Sequence, residues 1–173
     1  GNSELETQQL GLLYNRLAAL GDHDNHPDNP SNCQGICPTG WHLPSEAEWE
    51  QMLTFLQHDP INYCGNNISY LAKALASQEL WNSYGNACCI GNDLSLNKMS
   101  LFTAQPAGHF YSNGCRDMSN VTFFWTSTVR PSDANYHIVH RMYYQWAYID
   151  HGDGGGDGYM DRGYSVRCVK NND

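Results

Sequence analysis

Apolar positions along the chain fall into stretches separated by polar, glycine-rich segments. The clearest follows Ser45, where Ala47, Trp49, Met52, Leu53 and Leu56 recur at helical spacing and predict a helix over residues 45–57. Ser45 and Glu48 stand three apart at its start, the pattern of a capping box. Pro38 and Pro44 forbid helix in the run just before it. Residues 10–20, closed by Gly21, read as a strand passing into a helical turn. Residues 68–81 predict a second helix with Leu71, Ala72 and Leu75 inward. Val121–Thr128 is β-branched and aromatic, hence a strand. Residues 136–149 alternate with period two, which sets Tyr136, Ile138, His140, Met142, Tyr144, Trp146 and Tyr148 on one face. That run is longer than an ordinary strand, so a bend or hairpin is expected inside it. Tyr164–Lys170 reads as the closing strand.

The polar segments are as informative. Residues 21–32 hold Asp, Asn, His and Pro with no apolar residue, the composition of a surface loop. Residues 82–120 are broken throughout by glycine and asparagine, and a loop of that length is expected to be functional or pinned by cross-links. Cys88, Cys89 and Cys115 lie within it and supply a means of pinning. Residues 152–158 read as a glycine-rich, flexible turn. With no repeat and no linker, the 173 residues are read as one domain over 1–173.

Charged residues make up 16% of the chain, below the roughly 25% of average soluble proteins. Asn, Ser, Tyr and Gly take their place, a loop-rich, extracellular-looking mixture. A formal net charge of −9 argues against nucleic acid and anionic membrane surfaces as partners. No apolar stretch is long enough for a transmembrane segment. Seven cysteines point to an oxidising compartment, and their odd number leaves at least one thiol or one intermolecular bridge. Export implies a leader removed beforehand, because no signal peptide is visible. The adjacent Cys88 and Cys89 are expected to reach different partners.

Several constellations suggest chemistry. His23, His26, Cys33 and Cys37 have short, zinc-like spacings, but a disulfide at Cys37 would leave too few ligands. Asp150, Asp153, Asp157 and Asp161 surround the glycine-rich turn and are a candidate calcium set, although the spacing fits neither an EF-hand nor a nonapeptide repeat. Tyr111, Trp146, Tyr148 and Tyr159 lie in or near expected loops, where flat rings can stack on sugar faces. No nucleophile elbow, HExxH motif or phosphate-cradling loop is present, so the expectation is a protein that is not an enzyme.

The stretch Cys-Pro-Thr-Gly-Trp-His-Leu-Pro-Ser-Glu-Ala-Glu-Trp at 37–49 resembles the signature of the Fibrobacter succinogenes major paralogous domain, a family of secreted bacterial modules. Four further segments match in the same order: Leu12–Asn15 with Ala18-Ala19, Leu101–Gly108, Phe124–Thr128 and Tyr164–Val169. A more distant similarity, through residues 43–50 and Arg167-Cys168, is to formylglycine-generating enzymes. Both groups are similar to C-type lectin-like folds. The resemblance implies an α+β fold of that kind, with two helices packed on small antiparallel sheets, long loops and disulfides. It also implies that Cys37 pairs with Cys168, closing a loop of about 130 residues and stabilising the chain by about 4–5 kcal/mol in the chain-entropy model. The pairing of Cys33, Cys64, Cys88, Cys89 and Cys115 stays open.

The lectin sugar triplets are incomplete here, with Gln105-Pro106-Ala107 and Gly91-Asn92-Asp93 each lacking a member. The Asn-Val-Trp-Glu-Trp segment of the formylglycine-generating enzymes is missing, so the resemblance covers their scaffold and omits their chemistry. The expected function is an extracellular or cell-surface binding module, adhesin-like, with a glycan or protein ligand at loops 82–120 and 150–163. The alternatives are a cysteine- and copper-based oxidase and a structural subunit of a surface assembly.

Overall fold

A computed structural model describes residues 9–21, 25–97, 100–112, 114–154 and 162–171. The chain is a small α+β structure with few helices, small antiparallel sheets and two disulfides. Helix α1 spans Arg16–Leu20; Asn15 Oδ1 accepts the Ala18 amide at its start, and Gly21 ends it in the left-handed region. Just ahead, Tyr14 pairs with Tyr164 as an isolated bridge, so the expected strand is a single rung. Strand β1 (Trp41–His42) leads through Pro44 into helix α2 (Glu46–Gln57), where the capping box forms with both of its hydrogen bonds. Trp49 and Leu56 are buried and Met52 and Leu53 half-buried, whereas Ala47, expected inward, is exposed.

The second long helix does not form. Only one turn, α3 (Ala72–Leu75), is helical. Leu71, Ala72 and Leu75 are buried as expected, but the backbone on either side bonds elsewhere. Ala72 donates to Ala147, Ala104 to Leu75 and Ser77 to Ala104, so tertiary partners take the groups a longer helix would use. Within 82–120 the irregular reading misses a hairpin, β2 (His109–Tyr111) with β3 (Gly114–Arg116). Strands of three residues are too short to show periodicity. Cys88 is pinned to Cys64, and Cys33, Cys89 and Cys115 remain thiols.

Strands β4 (Val121–Arg130), β5 (Asp133–Tyr143) and β6 (Asp150–Gly154) form the largest sheet, antiparallel in that order. The expected break in the 136–149 alternation is the turn after Tyr143, and β6 takes up Gly152–Gly154 from the stretch read as a turn. The closing strand shortens to β7 (Val169–Lys170), paired with β1. Residues upstream find separate partners, Tyr164 on Tyr14 and Ser165 on Phe124, so no continuous ladder develops.

β4 is buried on both faces because two cores meet on it. Val121, Phe123 and Trp125 join α1, Cys37, Leu43 and Tyr164 in one cluster. Phe124 joins Trp49, Leu75, Trp81, Ile90 and Met142 in the other. Period-two alternation thus separates the cores, while cross-strand register carries the division to β5, where Val139 opposes Trp125 and Met142 opposes Thr122. Cys37 and Cys168, 131 residues apart, are joined as the family resemblance implied. No helix among the described residues is long and apolar enough to cross a membrane.

Candidate functional site

Two side-chain groups share the β5–β6 ladder on opposite faces. Arg141 lies opposite Asp150 and His140 opposite His151, and adjacent residues on a strand point to opposite sides.

On the first face, Arg141 Nε donates to Asp150 Oδ2 at 2.7 Å while its guanidinium lies 5.9 Å from the Trp146 ring. Trp146 packs between Tyr143 (4.3 Å between centroids) and Tyr148, which it stacks at 5.0 Å and 13°. Tyr148 is 41% exposed. The expected one-face alternation fails here, since the turn after Tyr143 re-phases the chain and puts Trp146 beside Arg141 rather than with His140 and Met142. Backbone bonds hold the turn. Ile90 N–H donates to Trp146 O, Gly91 N–H to Tyr144 O and Ala72 N–H to Ala147 O. The Cys89 thiol adds a contact to Gln145 O at 2.9 Å, and burial pushes that thiol's pKa up, with the Lys73 charge countering it.

On the second face, Glu46 at the first position of α2 receives two imidazoles. His140 Nε2 is 2.7 Å from its Oε2, and His151 Nδ1 is 2.7 Å from its Oε1. His140 also stacks on Trp49 at 4.3 Å. Burial raises the Glu46 pKa, but the two imidazole contacts outweigh it and hold the carboxyl below its ordinary value. Glu50, one turn along α2, brings a second carboxylate within 4.8 Å of the Glu46 and His151 ligand atoms.

The other predicted residues scatter. Tyr111 sits on β2 with the Arg162 guanidinium 5.3 Å from its ring, and Tyr159 lies outside the described residues. Of the calcium set, Asp150 is engaged by Arg141; the Asp153 side chain, Asp157 and Asp161 are outside the described residues. Among the described residues the zinc-like set does not assemble. Cys37 is in its disulfide, Cys33 Sγ faces Leu20 O, His26 Nδ1 lies 2.6 Å from Asn32 Oδ1, and His23 is outside the described residues.

Three features escaped the sequence reading. Glu46 and Glu50 carry a visible i, i+4 signal, but only sheet register brings His140 and His151 to them. Lys73 is buried with its ammonium among the carbonyls of Asn92, Asp93 and Ile90 and Asn97 Oδ1, an oxygen cage that organises the loop. Burial lowers its pKa, and Asp93 and Cys89 oppose that shift. A groove of about 390 Å³ also runs along α2, lined by Trp49, Met52, Phe55, Phe102 and Arg167 among others.

The family model described as the Fibrobacter succinogenes major domain matches residues 1–170. The chain belongs to this family. No curated protein and no solved structure matches the chain. Placed on this Fibrobacter succinogenes major domain, the signature at 37–49 is seen to be structural. Glu48 Oε2 accepts the amides of Ser45 and Ser31, each at 3.0 Å, and Oε1 meets His42 Nε2 at 2.7 Å. Cys37 ties the stretch to the chain's far end.

Proposed function

We propose that this Fibrobacter succinogenes major domain is an exported, non-enzymatic binding module of C-type lectin-like architecture whose ligand is a neutral glycan. The observation that carries the reading is the Tyr143–Trp146–Tyr148 stack, presented on a turn whose carbonyls are tied down by Ala72, Ile90 and Gly91. Rings held in place before binding lose little entropy when a sugar face stacks on them. The Arg141–Asp150 pair beside them supplies donors and acceptors for hydroxyl groups. The net charge of −9 favours neutral over polyanionic sugars. Two disulfides support an oxidising, extracellular setting. The three thiols favour binding over the oxidase alternative: Cys33 and Cys89 are buried, and the Cys89 pKa is raised, which makes a poor nucleophile.

The test is calorimetric titration with cellohexaose and xylohexaose, sugars with flat apolar faces. Trp146→Ala is expected to weaken binding at least tenfold, about 1.4 kcal/mol, in keeping with the worth of one aromatic contact. Its melting temperature and that of the parent should stay close. Absence of binding to either sugar, or equal affinity in the variant, would sink the reading.

A further inference from the structure

We propose that Glu46, Glu50 and His151 form a binding site for a first-row divalent cation of the zinc class. Glu46 and Glu50 are one turn apart on α2, so both carboxylates leave the same helix face. His151 reaches them from β6. One ligand atom from each of the three lies within 4.8 Å of the other two. Donors around a tetrahedral zinc sit about 3.3 Å apart, so small side-chain rotations close the set. Two carboxylates balance the charge of a divalent ion, and three protein ligands leave a fourth position for water or a further ligand. Calcium, which takes six to eight oxygens, fits a set containing imidazole poorly.

His140 backs the set from behind Glu46. It is 3% exposed, with Nε2 at 2.7 Å from Glu46 Oε2. A ring that donates from Nε2 to Oε2 orients the carboxylate and leaves Oε1 for the ion, as outer-shell partners of metal ligands do. Stacking on Trp49 fixes that ring. The ion replaces the proton now shared between Oε1 and His151 Nδ1, and His151 then carries its proton on Nε2. The positive end of α2 is offset, because Thr128 Oγ1 accepts the Glu46 amide and Glu48 closes the capping box.

Zinc calorimetry on the metal-free chain is the test, with Glu50→Gln and His151→Ala as variants. Both residues are exposed, so both variants are expected to fold, which circular dichroism checks. One zinc per chain is expected, with affinity falling at least tenfold in each variant and about tenfold in His140→Phe. Cobalt loading should give a visible ligand-field band without the near-ultraviolet charge transfer of thiolate ligation. That separates this site from Cys33, Cys89 and Cys115. No zinc binding, affinity unchanged in Glu50→Gln and His151→Ala, or a thiolate band would each overturn the proposal. The assay is independent of any glycan.

Discussion

Glu48 shows how much one side chain does. Its carboxylate caps α2, receives Ser31 from the preceding loop and meets His42 from β1, so three segments converge on two oxygens. Glu48→Ala should therefore cost more than an ordinary cap. The capping box contributes about 1 kcal/mol, and orphaning buried donors adds about 1–3 more. A stability loss of about 3 kcal/mol, read as a lowered urea midpoint, is expected. Ser45 and Glu48 were legible as a capping box from their spacing. The partners Ser31 and His42 were not, since nothing local distinguishes them. Lys73 was invisible for the same reason, because its oxygen cage comes from residues about 20 positions away.

At the level of elements, the reading succeeded where a segment's own pattern decides its state. α2 and β4 formed with nearly the predicted bounds. The expected helix over 68–81 shrank to α3 because Ala147 and Ala104 compete for its backbone groups. The β2–β3 hairpin is decided by contact. Gly108, just before it, has φ +69° and bonds through its amide to Val121 O, and a Cβ there would collide with the Arg116 carbonyl oxygen. Gly108→Ala should therefore unseat the hairpin from β4, at about 3 kcal/mol from left-handed strain and overpacking together. Thermal melting checks the loss, and faster amide exchange at Val121 and Phe110 would place it. The 136–149 alternation shows the converse error. Residues 136–143 are extended as expected, but the turn after Tyr143 ends the strand and moves Trp146 to the other face, and a change of phase leaves no trace in hydropathy.

Across the whole molecule, the ends are drawn together. Cys37–Cys168 spans 131 residues, Tyr14 pairs with Tyr164, and β1 pairs with β7. A double Cys37→Ser, Cys168→Ser variant should lose about 2–5 kcal/mol, read by denaturant unfolding. Parallel treatment of the parent with dithiothreitol should destabilise it further, since Cys64–Cys88 is also reduced. An unaltered midpoint in the variant would mean that β1–β7 and the Tyr14–Tyr164 rung close the fold unaided. The sequence by itself determined the family, the capped helix, the buried strand, the cysteine-rich composition and, through resemblance, the long disulfide. These depend on short-range spacing or on motifs contiguous in the chain. Tertiary structure alone decided the Lys73 cage, the aromatic stack beside Arg141 and the meeting of Glu46, Glu50, His140 and His151. Those groups join elements distant in sequence, and their juxtaposition follows from strand register and helix placement, which no local pattern encodes.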